Sequence, residues 1–230
     1  MAAPQSDLPD GTPFWDRLSQ DDRGALSQAS TEKTFAPGTC VCKEGEEASF
    51  ALVILTGWVK VLKTSATGRP QVEALRTRGD LVGESAKAEG CRRMSTLIAA
   101  TEVEGLVVTS EALRHLLRAS EGADNAFSHV QHDKQMESDR LRMQMGVTSV
   151  DERLAHALVS MADRSGTNPA DGHLTMEPPL TQEELAQLVR AARSGVESAL
   201  RKWRKRKAVK TGRQSITLID IHYLRRLAAR

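Results

Sequence analysis

The run Thr181-Gln182-Glu183-Glu184-Leu185-Ala186-Gln187-Leu188-Val189-Arg190-Ala191-Ala192-Arg193-Ser194-Gly195-Val196-Glu197-Ser198-Ala199-Leu200-Arg201-Lys202-Trp203 decides how the chain is read. Thr181 and Glu184 have the spacing of a capping box, in which the threonine oxygen accepts the third amide of a helix and the glutamate reaches back to the cap amide. A helix therefore starts there, with Leu185, Ala186, Leu188 and Val189 as its apolar face. Arg190-Ala191-Ala192 interrupts that face, and a second helix runs from Arg193 towards Trp203 with Val196, Ala199, Leu200 and Trp203 inward. Two short helices within about 22 residues spell a helix-turn-helix.

Val196 and Leu200, one turn apart, face the first helix, so Arg193, Ser194, Glu197 and Ser198 point the other way. Those side chains suit the major groove of double-stranded DNA. Arg193 can offer a fork to guanine, Glu197 can accept from cytosine N4, and the serines can serve a base or a phosphate. Behind them Arg201, Lys202, Arg204, Lys205, Arg206 and Lys207 place six cations in seven residues. Val209 to Leu218 then reads as strand, turn, strand, a wing with Lys210 and Arg213 near its tip. A charge run by itself is most often a solvated face; joined to a helix-turn-helix and a hairpin it becomes a phosphate anchor.

The charge is divided accordingly. Leu180 to Arg230 holds 13 Lys or Arg against four acids, a net +9, while the preceding 179 residues hold 19 basic and 26 acidic groups, a net −7. A basic C-terminal fifth on an acidic body describes a polyanion-binding module on a carrier that does not itself adhere to the polyanion.

Of the 230 residues 40% are hydrophobic and 27% charged, which excludes a disordered or collagen-like chain. The longest apolar run, Phe50 to Leu55, falls far short of the roughly 20 residues of a membrane span. Met1 to Pro13 carries Asp7, Asp10 and early prolines in place of a basic, apolar leader, so a cytoplasmic protein is expected. Cys40, Cys42 and Cys91 are an odd set whose spacing suits neither a disulfide framework nor a zinc knuckle.

Upstream of the reading head, Pro13 to Leu18 and Asp22 to Ala29 read as short helical pieces. From Phe35 to Thr109 short alternating or apolar stretches are cut by glycine, the pattern of an antiparallel β-roll or barrel. Val53 to Lys63, broken at Thr56-Gly57, reads as its clearest hairpin, and Thr96 to Ala100 with Leu106 to Thr109 as a second. Ser110 reads as the cap of a helix over Glu111 to Arg118, and Ala123 to Met145 as a long helix of roughly 35 Å. Its apolar positions Phe127, Val130, Met136, Leu141, Met143 and Met145 form an imperfect seam interrupted by Lys134 and Glu137, which fits a dimerisation helix, with an exposed connector as the alternative. Gly146 marks a hinge, Ser149 or Asp151 caps a helix over Glu152 to Ala162, and Asp163 to Gly172 reads as a loop.

Taken in order, roll, long helix and winged helix-turn-helix resemble the cyclic-AMP receptor and FNR family of bacterial transcription regulators over nearly the whole chain. The strings that carry the likeness are Gly79-Asp80-Leu81-Val82-Gly83-Glu84, Glu152-Arg153-Leu154-Ala155 and Thr181-Gln182-Glu183-Glu184-Leu185-Ala186. The resemblance implies an α+β chain with a cyclic-nucleotide-binding-like β-roll over residues 1–120, a dimerisation helix over 121–146 and a winged helix-turn-helix over 147–230. It also implies a homodimer on a near-palindromic site, with RNA polymerase as the partner if the protein activates. Arg193 falls on the family's base-reading arginine, whereas Ser194 and Ser198 stand where the family carries glutamate and arginine, so a different DNA sequence is expected. Gln182 stands at a phosphate-contacting position beside Thr181, and Arg190 replaces the family's turn glycine.

The same resemblance implies an effector site, for cyclic AMP or cyclic GMP, at Gly83, Glu84 and a following Arg-Ser or Arg-Thr pair. Here the later segment is Arg92-Arg93-Met94-Ser95-Thr96. Aligning the strand puts Met94 at the arginine position, and Arg93 one residue early faces the opposite side of a regular strand. A looser loop brings Arg92 or Arg93 to a phosphate, and Ser138 falls where the long helix contacts the adenine. A cyclic nucleotide, another small effector and no effector at all stay open at this level. An iron-sulfur cluster needs one cysteine more, and His115, His129, His132 and His156 offer no defined haem pair. There is no P-loop, dinucleotide fingerprint, HExxH or GxSxG, so an enzyme is not expected. The reading that competes with a DNA-binding regulator is a ligand-sensing or protein-interaction module whose reading head has degenerated.

Overall fold

The structure is a computed structural model and describes residues 8–9, 11–144, 147–165, 174–176, 180–212 and 216–229. The chain divides into two compact units, Met1–Pro70 with Ala74–Asp139, and Gln71–Glu73 with Arg140–Arg230.

The first unit opens with α1 (Phe14–Arg17) and α2 (Gln20–Gln28), the latter capped by Ser19, whose side chain accepts the Asp22 N–H. Eight strands follow: β1 (Ser30–Phe35), β2 (Cys40–Cys42), β3 (Phe50–Thr56), β4 (Trp58–Thr64), β5 (Pro70–Thr77), β6 (Leu81–Val82), β7 (Thr96–Ala99) and β8 (Val103–Thr109). They form two sheets, ordered β1-β8-β3-β6 and β2-β7-β4-β5.

The apolar run Phe50 to Leu55 is explained by its place in the centre of the first sheet. Ala51 and Val53 face the helices, while Leu52 and Ile54 face the second sheet, so neither side of these four residues meets water.

Neither expected hairpin forms. β3 pairs with β8 and β6, and β4 lies beside β7 and β5; β7 and β8 likewise belong to different sheets. Thr56-Gly57 and Ala100 to Glu102 are corners at which the chain passes from one sheet to the other. The corners lock together: Trp58 N–H donates to Thr101 Oγ1 at 2.9 Å, and Thr77 Oγ1 donates to the Gly57 carbonyl at 2.8 Å. Gly57 has φ +83°, and a Cβ there would stand 2.0 Å from the Glu102 carbonyl oxygen.

This distinguishes a corner from a hairpin turn, where asparagine is welcome at positive φ. Gly57→Asn is expected to lower the unfolding free energy of this unit by about 2 to 3 kcal/mol, because the corner must open to admit the side chain. Urea denaturation followed by Trp fluorescence measures it, and an unchanged midpoint would show that the corner yields freely.

Helix α3 (Ser110–Ala119) is capped one residue earlier than expected. Thr109 accepts the Ala112 N–H at 3.2 Å, and Ser110 instead donates its hydroxyl to the Ala48 carbonyl at 2.7 Å. Helix α4 (Glu121–Gln144) follows, and its expected seam is divided. Phe127 and Val130 are buried in the core formed by α1 to α3 and the first sheet, whereas Met136 and Met143 stand 54% and 77% exposed. Lys134 and Glu137, the interruptions in the seam, pair with Glu84 and Arg76. Met145 and Gly146, the expected hinge, lie outside the described residues.

The second unit contains α5 (Val150–Ser165), β9 (Leu174–Met176), α6 (Gln182–Leu188), α7 (Arg193–Lys205), β10 (Val209–Thr211), β11 (Ile216–Leu218) and α8 (Ile221–Ala228). Ser149 is the cap of α5: its hydroxyl accepts the Glu152 N–H at 3.3 Å while Glu152 Oε2 accepts the Ser149 N–H at 2.7 Å. The expected loop over Asp163 to Gly172 begins later, after Ser165, and its remainder falls outside the described residues. The wing is a three-stranded sheet ordered β10-β11-β9, so a third strand joins the expected hairpin. Asp220 caps α8 through the Tyr223 N–H at 2.9 Å.

Candidate functional site

Two groups of the expected site residues come together, one in each unit. In the second unit the capping box at Thr181 is present in both directions, with the Glu184 N–H on Thr181 Oγ1 at 3.2 Å and the Thr181 N–H on Glu184 Oε2 at 2.8 Å. Helix α6 ends in a Schellman turn: the Arg190 N–H donates to the Gln187 carbonyl at 3.0 Å and the Ala191 N–H to the Ala186 carbonyl at 2.9 Å. Such a turn requires a left-handed residue, and Arg190 supplies it at φ +52°.

Helix α7 buries Val196, Ala199, Leu200 and Trp203, and this leaves Arg193, Ser194 and Ser198 exposed and Glu197 half-buried on the opposite face. Arg193 Nε donates to Glu197 Oε1 at 2.8 Å, so the two expected base readers are held side by side. No side chain caps the start of α7 at Ala192, which leaves its first amides open to solvent or to a phosphate oxygen.

The basic run beyond is not uniform. Lys202 donates to Asp151 Oδ2 at 2.5 Å, and that hydrogen bond raises its pKa. Arg204 reaches Thr211 Oγ1 of β10 at 3.3 Å, and the Arg206 guanidinium lies 4.2 Å from the Tyr223 ring centroid. Arg201, Lys205 and, on β10, Lys210 are exposed. Gln182 is exposed at the start of α6, and Arg213 lies outside the described residues. Arg153, which the sequence offers only as part of the string Glu152 to Ala155, is a buried residue of α5 whose guanidinium donates to the Val189 and Arg190 carbonyls of the turn.

In the first unit Gly83, at φ +80°, opens a short 3-10 turn over Glu84–Lys87. Arg93 comes to it. Its Nη1 donates to the Gly83 carbonyl at 3.2 Å, its guanidinium lies 4.4 Å from the Phe50 ring centroid, and the residue is only 3% exposed. Its Nε and Nη2 are buried without a hydrogen-bond partner. The charge is felt in the core between the sheets, where burial pushes the Cys42 thiol pKa up and Arg93 pulls it down.

The regular strand that was expected to turn Arg93 to the opposite side does not extend through Arg93. Arg92 forms an isolated bridge with Glu47, and the Arg93 backbone bonds the Glu46 carbonyl and the Gly45 N–H. The chain then bends at Met94-Ser95 before β7 starts at Thr96, so the two-residue alternation is broken and Met94 turns out, 70% exposed. Arg92 is exposed on the Gly45 carbonyl at 2.9 Å, and the Thr96 hydroxyl is taken by the Glu44 N–H at 3.0 Å. The structure thus brings together Gly83, Glu84 and Arg93; Arg92 and Thr96 bond elsewhere, and Ser95 and Ser138 are half-buried.

Lys134 of α4 was read only as a break in the seam. It forms an ion pair with Glu84 and donates to the Leu81 carbonyl at 2.6 Å, tying the long helix to the loop that carries Gly83. Two further pairs fasten α4 to other elements, Glu137 to Arg76 of β5 at 2.7 Å and Asp133 to Arg17 of α1 at 3.0 Å. Among the described residues no group of three His, Cys, Asp or Glu is placed to hold a metal, and no helix is long and apolar enough to cross a membrane.

Comparison with known proteins finds two matching domains. Residues 32–120 match the cyclic nucleotide-binding domain and residues 152–227 the Crp-like helix-turn-helix domain. The chain is 28% identical over 204 residues to a CRP-like cAMP-activated global transcriptional regulator of Mycobacterium tuberculosis, covering 89% of this chain and 91% of that protein. Among solved structures it resembles FixK2 from Bradyrhizobium japonicum, with a TM-score of 0.73 at 19% identity over 87% of this chain and 98% of that one. It also resembles the c-di-GMP responsive regulator CLP of Xanthomonas campestris, with a TM-score of 0.70 at 18% identity over 87% and 99%.

Proposed function

This chain belongs to the cyclic-AMP receptor and FNR family of transcription regulators, and from that premise we propose a cytoplasmic homodimer that reads a near-palindromic duplex and is gated by a cyclic nucleotide held at Arg93, Gly83 and Glu84. The observation that carries the effector half is the pair of Arg93 donors, Nε and Nη2, buried with no partner. A cyclic phosphate offers what a buried guanidinium lacks, two acceptor oxygens carrying charge. A ribose hydroxyl reaching Glu84 has to share it with Lys134, so binding acts directly on the pair that ties α4 to the loop. Only a difference in affinity between the DNA-competent and incompetent states converts that exchange into control.

Dimerisation is supported by Met136 and Met143, spaced two turns apart and exposed on one face of α4. In the duplex complex Arg193, Ser194, Glu197 and Ser198 face base edges, and Arg201, Lys205 and Lys210 face phosphates, with Thr181 and Gln182 at the edge of the groove and Lys202 held partly by Asp151. The relatives are regulators rather than enzymes, and the role proposed for this chain is likewise non-catalytic.

Calorimetric titration with cyclic AMP and then cyclic GMP, to millimolar ligand, tests the effector. Saturable heat with either is the expected result, and flat traces with both would sink this assignment. Selection from random duplexes, with and without the nucleotide, tests the DNA half. Arg193→Ala is expected to relax selection at one base position in each half-site and to cost about 1 to 3 kcal/mol of binding, whereas Lys205→Ala weakens all duplexes alike and reduces the salt slope by about 1. Identical behaviour of the two variants would contradict the division into readers and anchors.

A further inference from the structure

We propose that Arg153 is the positioning residue of the reading head. Its guanidinium compensates for a side chain at position 190, where the turn geometry favours glycine, and it ties that turn to the segment entering α5.

The backbone poses the problem first. The Schellman turn after α6 needs a left-handed residue at position 190, and every residue with a Cβ is strained there by its own following carbonyl. Arg190 nonetheless adopts φ +52°. The turn bonds use the Arg190 and Ala191 N–H groups, while the Val189 and Arg190 carbonyls point out of the helix, and Val189 is itself buried.

Arg153 takes both carbonyls. Nε donates to Val189 at 2.8 Å and Nη2 to Arg190 at 3.3 Å, while Nη1 donates to the Thr148 carbonyl at 2.5 Å. Arg153 is 8% exposed, and all three of its nitrogens go to backbone carbonyls. Burying a guanidinium among carbonyls is a poor way to gain stability, but its rigid planar fork fixes the directions of the groups that it bonds. Here those groups belong to the turn three residues before α7 begins.

The third carbonyl gives the arrangement its direction. Thr148 hangs from the last residue of α4, with its N–H and its hydroxyl both donating to the Gln144 carbonyl at 3.0 and 3.1 Å. A continuous set of hydrogen bonds therefore runs from the end of α4 through Thr148 and Arg153 to the turn that aims α7. Displacing the Thr148 carbonyl displaces the guanidinium, and with it the turn.

The inference rests on the helix-turn-helix and not on the identity of any effector. Its test is a double-mutant cycle on the full-length protein with Arg153→Met, Arg190→Gly and both together, and with Arg190→Ala replacing Arg190→Gly as control. Affinity for the selected duplex and for a random duplex is read by fluorescence anisotropy, and unfolding by urea. Arg153→Met is expected to weaken the selected duplex about tenfold while the random duplex changes within about twofold. Both substitutions at 190 give up the Arg190–Glu73 ion pair at 2.6 Å, so the comparison between them isolates the Cβ: adding Arg190→Gly restores most of the loss and gives a higher urea midpoint than adding Arg190→Ala, which keeps the Cβ and restores neither.

Additive losses in the Gly cycle, equal rescue by Arg190→Ala, or an Arg153→Met protein with wild-type discrimination would each overturn the proposal. If Arg153→Met does not fold, Arg153→Lys keeps the stem and the charge on a single nitrogen without the planar fork, and carries the same cycle. The urea arm reads the Arg153–190 coupling without DNA, so failure of the duplex selection leaves that coupling measurable.

Discussion

Arg93→Met is expected to remove nucleotide binding and to leave the roll as stable as the wild type, or more so. A buried guanidinium is costly, and this one has recovered little of the cost: one carbonyl at 3.2 Å, one ring face and two donors without partners. Each unsatisfied buried donor costs about 1 to 3 kcal/mol. Methionine has similar length, fits irregular spaces and carries no donor, so the exchange is expected to change the unfolding free energy by about 0 to +2 kcal/mol. Binding moves the other way, because losing the cationic partner of a buried phosphate costs about 2 to 5 kcal/mol, at least about a thirtyfold loss of affinity. Thermal unfolding with and without saturating cyclic nucleotide reads both quantities, since the ligand-dependent stabilisation disappears while the ligand-free midpoint holds or rises. A midpoint lowered by the equivalent of more than about 2 kcal/mol would instead make Arg93 a structural clamp. The contrast with an ordinary buried arginine is direct: Arg17 donates to the Thr12 and Pro9 carbonyls and to Asp133, and its loss can only destabilise.

What the sequence discloses follows the range of the interactions. The Thr181–Glu184 box and the apolar set Val196, Ala199, Leu200 and Trp203 are local, complete within a few residues, and the reading head was accordingly legible. Phe50 to Leu55 was legible as an apolar run too short for a membrane span, while its place in the centre of a sheet is set by its distant partners β8 and β6. The corners did not announce themselves, because a glycine at positive φ serves a hairpin turn and a sheet crossing equally well. What separates the two at Gly57 is Glu102, far along the chain, whose carbonyl closes on the missing Cβ.

Arg93 shows the same limit. The period-two rule fails where Arg92 pairs with Glu47 and the chain bends at Met94-Ser95, and nothing within the string Arg92 to Thr96 states that pairing. β9 is three residues long, too short to carry a period, and is defined by its partner β11. Lys134 and Arg153 were legible as residues but not as roles: one looked like a flaw in a seam, the other like part of a family string. Each role is given by acceptors distant in sequence, Leu81 and Glu84 for Lys134 and the 189–190 carbonyls for Arg153.

Trp203→Ala is expected to lower the stability of the second unit by about 3 to 5 kcal/mol, the usual loss on emptying a large aromatic site. Trp203 has no exposed surface, and α7, which carries it, packs against α5, α6 and β10. A small domain holds only about 5 to 15 kcal/mol in total, so this one truncation consumes much of the margin on which specific DNA binding depends. Trp203→Phe separates volume from polarity. The indole Nε1 is buried without a partner, so phenylalanine removes an unsatisfied donor while keeping most of the ring, and its net cost is expected to stay below about 1.5 kcal/mol. Hydrogen exchange of the α7 amides, beside nucleotide titration of the same samples, checks both. In the Ala variant α7 loses protection and selected-duplex binding falls with it, while the heat of nucleotide binding persists, because Gly83, Glu84 and Arg93 belong to the other unit. Arg93 and Trp203 thus make opposite predictions from one principle. Removing Arg93 is expected to abolish ligand binding and spare the fold, because the partners proposed for it are charged oxygens that arrive from solution; removing Trp203 is expected to spare ligand binding and melt the reader, because what the indole supplies is its volume.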